Sequence, residues 1–284
     1  MVLGPYALEP LLSLGVQPIG FADHVALRQE DYDNPPEQIP YLGSMITQPI
    51  ANVGLAYEPS IEAISLIQPD LIIGIENNAK QYDTLSQIAP SILLNWSEPE
   101  KNLKAIAQAI NRPQQAEQLL KDREKRIAAA REAFAPVVAT YPKLLLLFTS
   151  SNLQEINLGN SGGLCSSLVK DLGFQLVSLR ELKNSPSNSP KRISIETLPR
   201  LNDADLAIVF SVSDGEFNNM NNFNQHQLAK IKQAWSENAI AQSLDASKAG
   251  RVYFIPTYLC AGLPGAIGTK LYLEELEQQL LPPQ

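Results

Sequence analysis

The sequence contains one motif with the spacing of a catalytic nucleophile. Gly159 to Gly163 form the pattern G-x-S-x-G, which places Ser161 on a sharp turn between a strand and a helix. His226 follows with aspartates between the two, so the order serine, acid, histidine of an α/β hydrolase is available. His226 nevertheless lies in an Asn-rich stretch, and the chain contains no His-Gly-Gly oxyanion segment. A glycine-rich turn that opens a helix is the simpler interpretation, and a serine hydrolase is the alternative function.

Metal and cofactor chemistry has little support in the sequence. The chain has 2 histidines, His24 and His226, and neither has a second His or Cys at the spacing of a zinc site. It contains no phosphate loop that ends in Gly-Lys-Ser/Thr and no G-x-G-x-x-G pattern. The chain has 2 cysteines, Cys165 and Cys260, which are too few for a disulfide framework. Whether they form a single disulfide stays open at this point. We therefore predict no metal site, no cofactor and no catalysis.

Composition and charge exclude further classes of function. The net charge of −8 argues against nucleic acid as a partner, because counterion-release binding needs a basic face. The longest apolar run, Leu144 to Phe148, is too short to cross a membrane. The N-terminus lacks the charged and apolar regions of a signal peptide. The chain as given is therefore expected in the cytoplasm unless an upstream segment is missing.

The elements that must position any functional side chain alternate between helices and short apolar strands. Ser60 is suited to cap a helix that Pro69 ends, and an apolar run follows at Leu71 to Ile73. Lys80 to Ile88 then form another predicted helix, followed by a strand at Ser91 to Leu94. This alternation predicts an α/β fold with a mostly parallel sheet.

A long helical region divides the chain. Residues 99–138 have helical character throughout, with one break near Pro113. A helix from Pro113 to Val138 would be roughly 39 Å long, enough to span a domain. The 284 residues also exceed what one core ordinarily holds. We predict an N-terminal lobe at 1–98, a helical connector at 99–140 and a C-terminal lobe at 141–284.

The second half repeats the alternation. A strand is predicted at Lys143 to Ser150, and the last helix at about Pro264 to Leu281. Further strands are predicted near Phe174, Leu206 and Val252. Two polar stretches, 184–192 and 218–227, are predicted as exposed loops.

Short sequences recur in the two halves. Ser60 to Glu62 recur as Ser194 to Glu196, each before a predicted strand, and Leu14 to Gln17 match Leu172 to Gln175. The recurrence predicts two similar lobes. It also pairs two carboxylates, since Glu62 and Glu196 both fall in the first turn of a helix. Such carboxylates stabilise a helix dipole, but a matched pair is also suited to meet a symmetric basic partner.

Several segments, in the same order along the chain, resemble those of iron-siderophore ABC-transporter substrate-binding proteins. These segments are Leu12 to Gly20, Tyr57 to Ile64, Gln68 to Gly74, Leu85 to Pro90, Gly250 to Phe254 and Leu271 to Leu276. The resemblance implies a periplasmic binding protein fold with two α/β lobes joined by one long helix and a ligand in the cleft between them.

The same resemblance implies a function. Members of the family bind ferric siderophores, haem or cobalamin and deliver them to an ABC permease, without catalysis. By this resemblance the protein would be a monomer that is periplasmic or membrane-tethered, and Glu62 and Glu196 would engage arginines of the permease. Siderophore-binding members often line the cleft with Arg, Trp and Tyr, whereas the stretch before Glu58 offers Ala56 and Tyr57 without an arginine. A two-lobed interaction protein without a ligand therefore stays as a third alternative.

Ligands of parallel α/β lobes bind beyond the carboxyl ends of the strands. The candidate ligand-binding residues in those predicted loops are Tyr57, Asn77, Asn78, Lys80, Asn160, Ser161, Arg180 and Tyr258. Lys80 and Arg180 would suit a chelate with excess negative charge, and Tyr57 and Tyr258 would cover apolar faces. Solvated surface charges and rim packing are the alternative interpretations of these residues.

Overall fold

The computed structural model describes residues 1–23, 32–159, 163–179, 191–212 and 223–281, with the backbone alone at 212 and 223–227. The strands are β1 (Val2–Leu3), β2 (Gly20–Asp23), β3 (Ala51–Leu55), β4 (Glu58–Pro59), β5 (Ile72–Ile75), β6 (Ser91–Leu94), β7 (Lys143–Ser150), β8 (Ile156–Leu158), β9 (Gln175–Leu176), β10 (Lys191–Ile193), β11 (Leu206–Val212) and β12 (Val252–Pro256). The α-helices are α1 (Pro5–Ser13), α2 (Pro35–Gln38), α3 (Ile61–Ile67), α4 (Tyr82–Ile88), α5 (Pro99–Ala109), α6 (Pro113–Thr140), α7 (Gly163–Asp171), α8 (Phe223–Glu237), α9 (Ala239–Ser243), α10 (Asp245–Lys248) and α11 (Ala266–Leu280). Short 3₁₀ helices cover Gly43–Met45, Glu76–Gln81 and Ile195–Leu201, and Tyr258–Gly262 form a π-helical turn.

The chain divides into two compact units, each built around its own sheet. Unit 1 includes Met1–Asp122 and Gly262–Gly268, and unit 2 includes Arg123–Asp214, Asn224–Ala261 and Thr269–Gln284. The division at Asp122 falls within α6, the long helix that the sequence predicts. In the part of the chain that the structure describes, no helix is both long enough and apolar enough to cross a membrane.

The sheet of unit 1 has the order β4-β3-β2-β1-β5-β6. Every neighbouring pair is parallel except β3 and β4. The central strands are apolar on both faces: Leu3 and Ile72 are fully buried, together with Ile64 of α3 and Leu85 of α4. This is the pattern of a parallel sheet covered by helices, as predicted.

The sheet of unit 2 has the order β10-β8-β7-β11-β12, and β9 also pairs with β7. Strands β9, β7, β11 and β12 are parallel to one another, whereas β8 is antiparallel to β7 and to β10. The parallel set β9-β7-β11-β12 has the same order along the chain and across the sheet as β2-β1-β5-β6 of unit 1. The two similar α/β lobes predicted from the short repeats are therefore confirmed.

The repeated Leu-Gly-x-Gln segment ends a helix in both units. Gly15 after α1 and Gly173 after α7 have φ values of 73° and 107°, in the region that favours glycine. The residue after each glycine donates its N–H to the carbonyl five residues earlier, at 3.2 Å after α1 and 3.1 Å after α7. Both helices therefore end in a Schellman motif, which explains why the sequence recurs.

Several predicted elements need correction. The predicted loop at 184–192 ends in a strand, because Lys191–Ile193 pair with β8. The predicted loop at 218–227 ends early, because α8 begins at Phe223. The predicted helix at Lys80 to Ile88 is a 3₁₀ helix, Glu76–Gln81, that leads into α4.

The two cysteines form a disulfide, the alternative that the sequence left open. Cys165 of α7 is bonded to Cys260 of the π-helical turn, both within unit 2. Trp235 lies in the core of the same unit, 3% exposed, and its indole N–H donates to Ser247 Oγ at 3.1 Å.

Candidate functional site

The candidate site lies at the carboxyl edge of the sheet of unit 1. Strands β1, β2, β3, β5 and β6 are parallel, so their carboxyl ends meet at one edge. From β1 the chain continues to β2 on one side, and β5 later pairs on the other side. Such a reversal of strand order opens a crevice where ligands of α/β proteins bind. The residues at this edge are Gly4, Asp23, Ala56, Tyr57, Glu76 to Gln81, Asn95 and Trp96.

The 3₁₀ helix Glu76–Gln81 organises this edge. Asn78 is fully buried; its Oδ1 accepts from the Ile75 N–H at 3.0 Å and its Nδ2 donates to the Ala56 carbonyl at 2.6 Å. Gln81 Nε2 donates to the Tyr57 carbonyl at 3.1 Å. The segment after β5 is thereby bonded to the segment after β3, two strands beyond β1.

A glycine makes the Asn78 contact sterically feasible. A Cβ on Gly74 would lie 2.9 Å from Asn78 Oδ1, closer than real Cβ contacts allow. Because both ends of the Asn78 amide bind backbone groups, this residue has a structural role. Its assignment to direct ligand contact is therefore less well supported than that of its exposed neighbours.

An aromatic pair lies at the other end of the same helix. Trp96 is half-buried, and its indole N–H donates to Asn77 Oδ1 at 2.6 Å. The ring of Tyr6 meets the Trp96 ring edge-on, with 4.4 Å between the ring centroids. The Tyr6 hydroxyl contacts the carbonyls of Asn95 and Trp96 at 3.2 and 3.1 Å. The Trp96 side chain is therefore held in a fixed orientation at the edge.

The two tyrosines of this edge are held in the neutral form. Burial raises the pKa of Tyr6 well above its ordinary value; a hydrogen bond from Asn102 acts against this shift, and the carboxylates of Glu9 and Glu76 add to it. Burial also raises the pKa of Tyr57, and the negative charge of Asp23 raises it further. Both phenols therefore remain hydrogen-bonding groups without charge at neutral pH.

The predicted site residues fall into three groups. Tyr57, which is 42% exposed, Asn77 and Lys80 lie at the carboxyl edge of unit 1 with exposed side chains. Tyr258 follows β12 of unit 2 but is only 6% exposed within the π-helical turn, so it packs in the interior and offers no open aromatic face. Asn160, Ser161 and Arg180 lie outside the described residues, as does the side chain of His226.

Three residues that shape this edge, Trp96, Tyr6 and Gln81, are not among the residues predicted from the sequence. Trp96 follows the strand β6 by two residues, and that position is the sequence signal that places it here. Gln81 is a polar residue within a predicted helix, and nothing in its neighbours along the chain indicates its bond to the Tyr57 carbonyl. Tyr6 is separated from Trp96 by 90 residues, and no local pattern indicates their contact.

Glu62 and Glu196 are exposed and lie at equivalent helix starts. Ser60 caps α3, with its Oγ accepting from the Ala63 N–H at 3.2 Å, and Glu62 is in the first turn. Glu196 begins a 3₁₀ helix instead of the expected α-helix, and Pro199 lies inside that helix. Hydrogen bonds from its own backbone and from Ser194 lower the pKa of Glu196, so its side chain is charged at neutral pH.

In the described part of the chain, no group of three or more His, Cys, Asp or Glu side chains is arranged to hold a metal ion.

Comparison with known proteins identifies the family. The sequence model of the periplasmic binding protein family matches residues 2–259. The chain belongs to this family. The predicted resemblance is therefore confirmed, and a binding role is favoured over the serine hydrolase.

Individual relatives are named for binding a siderophore or ferric citrate. The probable siderophore-binding lipoprotein YfiY of Bacillus subtilis is 24% identical over 99% of this chain and 82% of its own length. The Fe(3+)-citrate-binding protein YfmC of the same organism is 27% identical over 87% of this chain and 69% of its own length.

Solved structures share the fold. The Staphylococcus aureus protein SirA complexed with staphyloferrin B has a TM-score of 0.76 and 23% identity, over 98% of this chain and 91% of SirA. FeuA from Bacillus subtilis complexed with ferri-bacillibactin has a TM-score of 0.73 and 20% identity, over 98% of this chain and 91% of FeuA.

Proposed function

We propose that the protein is the substrate-binding component of an ABC importer, which captures a ferric siderophore or a related iron chelate and delivers it to a membrane permease. The observation that carries this proposal is the family match over residues 2–259, together with relatives named for siderophore and ferric citrate binding. The protein then acts as a monomer and needs no cofactor, because the iron arrives inside its chelate as cargo.

The carboxyl edge of unit 1 supports this proposal. Trp96 and Tyr57 supply apolar faces that suit the organic part of a chelate, while Asn77 and Lys80 supply polar groups beside them. The 3₁₀ helix Glu76–Gln81 is fixed by buried hydrogen bonds, so these groups are oriented before a ligand arrives. Preorganisation of this kind lowers the entropy lost on binding.

The location that accompanies this function is outside the cytoplasmic membrane, either periplasmic or tethered to the membrane. The disulfide between Cys165 and Cys260 supports this part of the proposal, because structural disulfides persist chiefly in oxidising compartments. Relatives described as lipoproteins support it as well.

Titration of the purified protein with defined chelates tests ligand capture. Ferric hydroxamate, ferric catecholate and ferric citrate complexes are each added while tryptophan fluorescence and binding heat are recorded. We expect at least one complex to bind with a dissociation constant in the micromolar range or below, and the iron-free siderophores to bind more weakly. If no complex gave a fluorescence change or a binding heat, the proposed function would be refuted, and an interaction protein without a ligand would be favoured.

Charge reversal tests docking to the permease. We expect Glu62→Lys and Glu196→Lys each to reduce uptake of the bound chelate at least tenfold, because like charges would meet the permease arginines. Ligand affinity and melting temperature should stay near the parent values. Matched controls are Glu117→Lys and Glu132→Lys, which reverse exposed charges on α6 in unit 1 and unit 2. Uptake at the parent rate in the Glu62→Lys/Glu196→Lys double variant would refute the docking assignment.

A further inference from the structure

The indole of Trp96 determines how the side-chain amide of Asn77 is oriented. The indole nitrogen of Trp96 lies 2.6 Å from Asn77 Oδ1. An indole N–H can only donate a hydrogen bond, so the amide atom that faces it must be the oxygen. The NH₂ group of Asn77, which carries two N–H donors, therefore points away from the indole.

The NH₂ group of Asn77 is available to a ligand. The side chain of Asn77 is exposed, and no residue in the described part of the chain bonds to its Nδ2. The two other side-chain amides of the same 3₁₀ helix already donate from their nitrogens, Asn78 to the Ala56 carbonyl and Gln81 to the Tyr57 carbonyl. Asn77 is therefore the amide of this helix that is suited to donate outward.

Trp96 is itself fixed by groups in the interior of unit 1. Asn102, which is 7% exposed, binds both backbone groups of Asn95: its Oδ1 accepts from the N–H at 3.1 Å, and its Nδ2 donates to the carbonyl at 2.6 Å. The buried ring of Tyr6 packs edge-on against the indole. Since these contacts hold both the backbone before Trp96 and its ring, the bond from the indole to Asn77 has a defined direction.

The ligand group that fits this donor is an oxygen atom with a free lone pair. Hydroxamate, catecholate and carboxylate groups all bind ferric iron through oxygen, and these oxygens still accept hydrogen bonds. An outward N–H donor therefore suits ferric chelates as a class and does not select one kind over another. A donor that is oriented before the ligand arrives also loses less entropy on binding than one that rotates freely.

We propose that Asn77 donates a hydrogen bond from Nδ2 to an acceptor oxygen of the bound chelate, and that Trp96 is the positioning residue that holds Asn77 in this orientation. These roles rest on the proposed function, and they name the atom through which the edge binds its ligand. Tyr6 and Asn102 support Trp96 from the interior. Trp96 thus acts through its indole N–H, in addition to the apolar face that its ring supplies.

A double-mutant cycle measured by calorimetry tests the positioning role. The probes are ferrioxamine B, a ferric tricatecholate and ferric dicitrate, and each variant is titrated with every probe that binds the parent protein. Asn77→Ala should weaken binding about fivefold, the effect of one lost hydrogen bond. Trp96→Phe keeps an aromatic ring, removes the N–H and should weaken binding several-fold in the parent, but should have little further effect in Asn77→Ala, because the group that it positions is gone.

The matched control is the same substitution at the other tryptophan. Trp235→Phe removes the bond from an indole N–H to Ser247 Oγ in unit 2, and it should leave the affinity for each probe unchanged. Urea unfolding of every variant shows whether the fold is retained.

A spectroscopic measurement tests the donor itself, because the cycle alone does not show which of the two residues contacts the ligand. The side-chain NH₂ signals of Asn77 in the nitrogen–proton NMR spectrum are assigned by their loss in Asn77→Ala. They should shift on addition of the gallium(III) form of the chelate, which has the same charge as the ferric form and is diamagnetic. If Asn77 served only to hold Trp96, these signals would hardly move.

The possible results separate the two proposals. Parent affinity in Asn77→Ala, or unshifted NH₂ signals, would overturn the donor role and leave the proposed function standing. Losses in Asn77→Ala and Trp96→Phe that multiply in the double variant would overturn the positioning role of Trp96. If none of the three probes bound the parent protein, both the proposed function and the roles of Asn77 and Trp96 would be refuted.

Discussion

The start of helix α11 depends on a single buried carboxylate, and its removal is the sharpest stability test that the structure offers. Glu9 of α1 is 0% exposed. Its Oε2 accepts from the Gly265 N–H at 2.7 Å, and its Oε1 accepts from the Ile267 N–H at 2.8 Å. These donors are at the N-terminus of α11, where backbone N–H groups have no partner within the helix. Glu9 therefore caps this helix from a distant part of the sequence.

The expected cost of Glu9→Ala follows from these bonds. Hydrogen bonds to a charged group contribute about 1.5–3 kcal/mol each, and removing the carboxylate takes this acceptor away from two partly buried N–H groups. The favourable interaction of a negative charge with the helix N-terminus is lost as well. We expect a loss of about 3–5 kcal/mol in the free energy of unfolding, similar to breaking a buried ion pair. Glu9→Gln should lose less, because one amide oxygen can still accept.

Urea unfolding followed by tryptophan fluorescence measures this loss. Trp96 lies in unit 1, like Glu9, and Trp235 lies in unit 2. The matched control is Ser13→Ala, because the Ser13 hydroxyl reaches Glu9 Oε1 only at 3.4 Å and should matter little. An independent check is Gly265→Ala, whose Cβ would overlap with the Glu9 carboxylate. A loss below about 1 kcal/mol in Glu9→Ala would refute the capping role, since one ordinary hydrogen bond contributes that much.

Three other substitutions test the scaffold. Asn78→Ala should destabilise the protein by about 2–3 kcal/mol and weaken chelate binding, because two buried backbone groups lose their partners; urea unfolding and titration measure both effects. Gly15→Ala and Gly173→Ala should each cost about 1–2 kcal/mol, because an L-residue is strained at positive φ; an unchanged unfolding midpoint would contradict this. Replacing Cys165 and Cys260 together by Ser should remove about 2–5 kcal/mol yet leave a folded protein at room temperature by circular dichroism; an insoluble product would count against it.

Local sequence predicted the buried strands well. The predicted bounds at Ser91 to Leu94 and Lys143 to Ser150 match β6 and β7 to the residue. Both are apolar runs bounded by proline or polar residues, a pattern that depends on neighbours along the chain. The strand β10 was not predicted, because its pairing with β8 depends on residues that are distant in sequence.

The candidate site was predicted only in part, for the same physical reason. Tyr57, Asn77 and Lys80 follow strands of a parallel sheet. The rule that ligands bind beyond the carboxyl ends of such strands is enough to predict that these residues lie at this edge. The contact of Tyr6 with Trp96 and the bond from Gln81 to the Tyr57 carbonyl arise only when the strands assemble in their order. Glu9 shows the limit of prediction from sequence most clearly, because a glutamate within a helix is ordinarily a surface residue and nothing near it in the sequence indicates its burial.

The two units share some structural features and differ in others. Docking and ligand recognition, the two parts of the proposed function, divide in the same way. Glu62 and Glu196 lie in helices that precede the equivalent strands β5 and β11, within the part that both units share. The carboxyl edges are not shared: in unit 2 the strand β8 pairs with Leu147–Thr149 of β7, so β9 can pair only with its first two residues. A matched pair of docking carboxylates is therefore compatible with ligand recognition that differs between the units. Under the proposed function, we expect ligand specificity to depend on the segments that vary, such as Glu76–Gln81, and docking to depend on those that recur.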